Sequence, residues 1–214
     1  MSQPGARPGI FLLSNPILGY YGGAFVVFAP MLPRALLLTA RLCLRPYEPA
    51  DAEAFFALLH ADRPRFQPSF PDRLQAVRSV ADAGAALNAF TDDWRTGRFY
   101  VFGIWNRATE AYLGDICIMP QQKGQAEIGY YLAAAAEGHG YAREALAAIV
   151  NFGFGPLGSQ RLLVRCFVSN ERGQAVARAV GFQAEPPPKR PLWFRNSDDM
   201  SRICRLWLAR PSAE

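Results

Sequence analysis

Six consecutive residues, Glu137-Gly138-His139-Gly140-Tyr141-Ala142, have the composition of an anion cradle. An alternating run, Ala126 to Leu132, precedes them, and a helical pattern carrying Ala142, Leu146, Ile149 and Val150 follows. The first turn of a helix has backbone N–H groups without intrahelical partners. The helix dipole adds positive potential at the same place, so a phosphate can sit there. Gly138 and Gly140 lack a Cβ, which permits positive φ and close approach of a ligand to the backbone. The chemistry this suits is the holding of a pyrophosphate. The same six residues also suit an ordinary glycine-rich turn from strand to helix.

The wider context separates the two. The run from Glu127 to Ala142, EIGYYLAAAAEGHGYA, resembles the core motif of the GNAT superfamily of N-acetyltransferases. It is most similar to the RimJ/RimL-type branch, whose members acetylate protein N-termini and some small amines. The superfamily pattern is Gln/Arg-x-x-Gly-x-Gly/Ala. Gly140 and Ala142 match it, Gly138 and Glu144 fit the branch form GxGYAxEA, and Glu137 stands where Gln or Arg is usual. Downstream, Asn170 followed by Gly181-Phe182 resembles the branch segment N-x-x-S…GF. The resemblance spans about Leu42 to Ala209.

The resemblance implies an acetyl-CoA-dependent N-acetyltransferase in which an amine attacks the thioester directly. It places acetyl-CoA in the V between two splayed parallel strands. The pantetheine would lie on the backbone of Tyr130, Tyr131 and Leu132, and the pyrophosphate on Glu137, Gly138, His139, Gly140, Tyr141 and Ala142, with Asn170 beside it. The acceptor would be a protein N-terminus or a small molecule bearing an amine. That amine, with a pKa near 10, must lose a proton, to a base or to a water held by one. The oxyanion needs a donor, which a backbone N–H can supply. Glu127 is the candidate base, because the branch often carries a functional glutamate at this position. By strand alternation Glu127 shares a face with Tyr131, while Ile128, Tyr130 and Leu132 face the other way. Two departures stand against a standard mechanism. Gly173 occupies the place of a serine often proposed as general acid, and Ala177 the place of a tyrosine used in many GNAT enzymes. Tyr131 or water could then protonate the leaving group. A thiol of pKa near 8.5 also leaves tolerably without protonation. These departures motivate the alternative of an acyl-CoA-binding protein with little or no transferase activity. Phe66, Phe70, Trp94, Trp193 and Phe194 are candidates for the acceptor site, though packing is open to each of them.

Elements must position these groups. Arg41–Tyr47 alternates and reads as the first strand. Ala50–Ala61 and Ser79–Thr96 read as helices, separated by a proline-rich loop, Arg63–Asp72. Three strand patterns then follow at short spacing, Arg98–Trp105, Ala111–Met119 and Gln125–Leu132, which implies an antiparallel meander. After the glycine turn, a helix ends near Gly153 and Gly155. Arg161–Val168 is the next strand, and the intervening helix makes it parallel to Gln125–Leu132. Asn170 is a natural N-cap for a short helix that Gly181 ends. Ser201–Ala209 is the last strand. The expected fold is α/β, a mixed, mostly antiparallel twisted sheet with one splayed parallel pair and helices on both faces.

At 214 residues one catalytic domain, 35–214, is expected. Residues 1–34 read as an apolar, proline- and glycine-interrupted extension outside it. Its longest proline-free piece, Ile17–Ala29, is too short for a membrane span. The net charge of +5 comes almost wholly from arginine and forms no block. It suits a polyanionic cofactor and gives no nucleic-acid recognition motif. Cys43, Cys117, Cys166 and Cys204 lack CxxC spacing and sit in strand runs, as reduced core cysteines of a cytoplasmic protein do. His60 and His139 form no metal pattern. A homodimer is compatible with all of this.

Overall fold

The computed structural model describes residues 35–185 and 203–211, so the expectations for residues 1–34, Trp193 and Phe194 lie outside them. In chain order the elements are β1 (Leu37–Leu38), β2 (Leu42–Arg45), α1 (Ala52–Ala61), α2 (Arg63–Phe66), α3 (Pro71–Ala76) and α4 (Val80–Arg95), then the meander β3 (Tyr100–Asn106), β4 (Tyr112–Gln121) and β5 (Gln125–Leu132). After these come α5 (Tyr141–Phe154), β6 (Arg161–Phe167), α6 (Glu171–Ala179), β7 (Gln183–Ala184) and β8 (Ile203–Ala209). The strands form one sheet in the order β1-β2-β3-β4-β5-β6-β8-β7. Every pairing is antiparallel except β5 with β6.

Alternation along the strands sorts the core into two layers. Ile116 and Ile118 of β4 and Ala126 and Ile128 of β5 face α5, which supplies Ala145, Leu146 and Ile149. Cys117 and Tyr131 face the opposite side, where Phe55 and Leu59 of α1, Phe66 of α2, Leu74 of α3 and Leu87 and Phe90 of α4 pack. Ser79 caps α4 by accepting the Asp82 N–H at 3.1 Å. Gly114 is the close approach in the meander. It has φ +148°, and a Cβ there would fall 2.2 Å from the Tyr131 carbonyl oxygen.

Three expectations differ from the fold. Arg63–Asp72 is not a loop: it contains α2 and the start of α3. Pro64 and Pro71 sit in the first turns of these helices, where a missing N–H is tolerated. The two-residue strands β1 and β7 are too short to show a period in sequence. Trp94 does not face the acceptor side. It reaches into the α5 layer, with its ring 4.8 Å from Phe102 and 5.0 Å from Tyr100.

Candidate active site

The parallel strands β5 and β6 pair only from Gln125↔Arg161 to Ile128↔Val164. Beyond that point they separate, and β5 continues alone on this side to Leu132. The Ala133 N–H donates to the Leu113 carbonyl of β4. Strand alternation therefore turns the backbone groups of Leu132 and Tyr130 the other way, into the gap. The gap is a cavity of about 590 Å³, within the range of small-molecule sites. It runs through the sheet. On one side it is lined by Gly138, Gly140, Tyr141 and Ala142, and on the other by Phe66, Phe70 and Tyr131.

The glycine turn closes one end. Gly138 and Gly140 have φ of +81° and +79°, the left-handed region that glycine takes without strain. A Cβ on Gly138 would meet nothing, and one on Gly140 only an Arg41 nitrogen at 3.5 Å. Conformation, rather than crowding, calls for glycine at both. Gly140 is the N-cap of α5, whose first-turn amides open onto the cavity. His139 takes no part in chemistry visible here: its carbonyl accepts from Arg41, and its ring stacks on Tyr141 at 5.5 Å.

Glu137 holds two arginines across the mouth. Its Oε1 receives Arg65 Nη1 and its Oε2 receives Arg172 Nη1, each at 2.7 Å. Arg65 also donates to the Leu132 carbonyl and pairs with Asp62 at 2.7 Å. On the far side, Asn170 caps α6 by accepting the Gly173 N–H at 2.8 Å. The Tyr130 hydroxyl donates to the Gly173 carbonyl at 3.1 Å, tying α6 to β5 across the gap. A Cβ on Gly173 would lie 2.8–3.0 Å from the Asn170 side chain, so glycine here lets the cap sit.

Glu127 does share the face of Tyr131, yet it does not line the cavity. Its side chain is 3% exposed. Its Oε1 receives Arg165 Nε at 2.7 Å, and its Oε2 receives Gln121 Nε2 at 3.0 Å. Both carboxylate oxygens of Glu127, the expected base, are thus held, and through one of them it anchors Arg165, which does line the cavity.

A second carboxylate lies on the same face. Asp115 is the direct cross-strand partner of Tyr131 and is 2% exposed. It pairs with Arg73 at 3.1 Å and accepts from the Tyr47 hydroxyl at 3.2 Å. The Tyr47 and Tyr112 hydroxyls are 2.6 Å apart. Burial raises the Asp115 carboxyl above the usual carboxylate range, with Arg73 and the tyrosines opposing. Burial also pushes Tyr131 well above its ordinary value, and the Asp115 charge adds to this. The Tyr131 hydroxyl is buried without a hydrogen bond of good geometry, while its ring packs 4.9 Å from Phe66 and 5.5 Å from Phe70. Sequence reasoning missed Asp115, Arg73, Arg65 and Arg172. For Asp115 a signal existed: one charge inside the apolar strand run Leu113–Met119.

The sequence pattern of the acetyltransferase (GNAT) domain matches residues 41–183. The chain is 31% identical over 153 residues to the uncharacterized N-acetyltransferase YoaA of Bacillus subtilis (strain 168), covering 70% of this chain and 84% of that one. Among solved structures it is similar to the ribosomal-protein-S5-alanine acetyltransferase of Vibrio fischeri, with a TM-score of 0.71 at 16% identity over 84% of this chain and 99% of that one. It is also similar to RimL, a ribosomal L7/L12 α-N-protein acetyltransferase in complex with coenzyme A as a cysteine disulfide, with a TM-score of 0.69 at 20% identity over 82% and 98% of the two chains. Among the described residues no helix is long and apolar enough to cross a membrane. The chain belongs to the GNAT family of acetyltransferases, which take their acetyl group from acetyl-CoA.

Proposed function

We propose that this chain transfers the acetyl group to the α-amine of a protein N-terminus, and that the gap between β5 and β6 is where it does so. The observation that carries the reading is the cavity that passes through the sheet. One mouth has helix-start amides for a pyrophosphate, and the other has an aromatic wall for an acceptor. The two solved structures named above act on ribosomal proteins by their names, which favours a protein N-terminus over a small amine.

In this reading the backbone of Tyr130 and Leu132 holds the pantetheine, and Gly138 to Ala142 hold the pyrophosphate. Arg65 yields the Leu132 carbonyl as the cofactor enters. The amine approaches from the side of Phe66 and Phe70. Its nitrogen forms a bond to the thioester carbon, a gap-facing N–H of β5 stabilises the oxyanion, and the intermediate collapses by breaking the carbon–sulfur bond, with CoA leaving as a thiolate that takes up a proton from water. The proton leaves the nitrogen toward the Tyr131 hydroxyl, whose own proton passes to Asp115. A carboxyl raised by burial is the better proton acceptor near neutral pH. Arg73 keeps that carboxylate oriented.

The test begins with a panel of N-terminal peptides and small amines, read by mass spectrometry for the acetylated atom. Acetylation of α-amines is expected, and peptides with a blocked N-terminus should not react. Tyr131→Phe should then lower turnover by about 100-fold or more, the low end of general acid–base contributions, with acetyl-CoA affinity nearly constant. Unchanged turnover would remove Tyr131 and Asp115 from the proton path. Gly173, which offers no hydroxyl, favours a second reading, an acyl-CoA-binding protein. Tight acetyl-CoA binding with no acceptor in the panel would favour that one.

A further inference from the structure

β6 and β8 run antiparallel, and Cys166 of β6 faces Cys204 of β8 directly across the ladder. Directly opposed residues point to the same face. Cys166 is 7% exposed and lines the cavity between β5 and β6. Cys204 packs behind it at the edge of the same core layer. Both are free thiols. The Arg210 N–H bonds to the Gln160 carbonyl six residues earlier along the β6 ladder. Counting in twos from there makes Cys166↔Cys204 a hydrogen-bonded pair, with Cα atoms about 5.5 Å apart. That separation is within the span of a disulfide, but the Cβ atoms must draw closer than the pleat sets them. A bond formed here is therefore readily reduced.

We propose that Cys166 and Cys204 form a cross-strand dithiol that exchanges with disulfides of coenzyme A entering the cavity, Cys166 being captured first and Cys204 releasing it. The inference rests on the reading of the cavity as the acetyl-CoA site. The sulfur of the cofactor must come to the splay of β5 and β6 for its thioester to react, and Cys166 borders that splay. In the first step the Cys166 thiolate attacks one sulfur of CoA disulfide. A Cys166–CoA disulfide forms, and one CoA thiolate leaves and takes up a proton. In the second step the Cys204 thiolate attacks the Cys166 sulfur. The Cys166–Cys204 disulfide forms and the second CoA leaves as its thiol. The protein loses two electrons and two hydrogens, and CoA disulfide becomes two CoA thiols. The mixed disulfide would block the cavity with the cofactor's own carrier, and Cys204 clears the block. An excess of CoA thiol reverses both steps.

Burial pushes the Cys166 thiol up to about 11, with the neighbouring Cys204 adding to this and Arg178 opposing it. Capture is therefore slow at neutral pH. It should quicken about tenfold per pH unit on the alkaline side, because the thiolate is the nucleophile.

The experiment is intact mass and peptide mapping after incubating the reduced protein with CoA disulfide, alongside Cys166→Ser and Cys204→Ser. Serine is close in size to cysteine, and circular dichroism checks each fold. The wild type should lose two hydrogens, gain a Cys166–Cys204 linkage and retain no CoA. Cys204→Ser should stop with one CoA on Cys166, and Cys166→Ser should gain neither. CoA persisting on Cys166 in the wild type, or adducts placed on other cysteines, would overturn the exchange. A parallel arm uses diamide, a small oxidant that needs no CoA site. The cross-strand disulfide in the diamide arm alone would overturn the CoA exchange while leaving the thiol geometry standing. Its absence from both arms would overturn the dithiol itself, whatever acetyl-CoA binding shows.

Discussion

Glu137 is the residue at which this chain departs most visibly from its family pattern, and its environment gives the departure a consequence. Its carboxylate sits in the turn that would hold the pyrophosphate and occupies Arg65 and Arg172. A negative charge there competes with phosphate for the same cations. Glu137→Gln removes the charge and frees both arginines. Calorimetry should then show acetyl-CoA binding tighter by roughly two- to fivefold, the factor for up to about 1 kcal/mol from partly exposed pairs. The gain should shrink at high salt. Gly140→Asp should act in the opposite sense. Aspartate tolerates the left-handed region better than most residues and is a good N-cap, and only an Arg41 nitrogen lies near its Cβ. The fold should survive while affinity falls at least tenfold, about 1.4 kcal/mol, because a carboxylate stands where the phosphate would. Unchanged affinity for both variants would place the pyrophosphate elsewhere.

At the scale of elements, Glu144 explains how α5 is fixed. Its carboxylate accepts from the Thr39 hydroxyl at 2.6 Å and the Arg41 N–H at 2.8 Å, joining the β1–β2 turn to the first turn of α5. Burial works against its charge, but the bonds from Thr39 and Arg41 outweigh it and hold the carboxyl below its usual range. A depressed carboxyl contributes stability that is present above the unfolded value, near 4.3, and is lost as pH falls through the folded one. Arg41 is 48% exposed, so its ion pair adds little. The hydrogen bonds from the Thr39 hydroxyl and the Arg41 N–H matter more. Glu144→Gln should cost about 2 kcal/mol at pH 7 and lower the Tm by roughly 4–8 °C. The difference from wild type should close as pH falls below 4. A pH-independent difference would mean that shape, rather than charge, sets the contribution. These elements were unevenly legible in the sequence. β5 alternates over its whole length and was read to the residue, as was Asn170 as a cap, because both signals are local. The short helices α2 and α3 were hidden by prolines that look like loop residues unless their place in a first turn is known. The face of Glu127 followed from alternation. Its ion pair with Arg165 did not, because that depends on the register of β5 against β6, which no local pattern encodes.

Over the whole molecule, the sheet is continuous and yet opened at one seam. Pairing stops at Ile128↔Val164, and the two helical layers meet the gap from opposite faces. In the proposed reading, this asymmetry would let a cofactor enter from the α5 side and an amine from the side of α1 to α4 without either crossing the other. The seam was legible as a parallel pair from the connecting helix, but the acceptor wall was not. That wall is assembled from α2, the turn before α3 and β5, which are far apart in sequence. Hydrogen–deuterium exchange with and without acetyl-CoA tests the seam most directly. Added acetyl-CoA should slow exchange in three separate stretches, 130–133, 138–144 and 170–174, with little change in β3 or along α1. Protection confined to another surface, or none at saturating acetyl-CoA, would contradict the placement of the cofactor between β5 and β6.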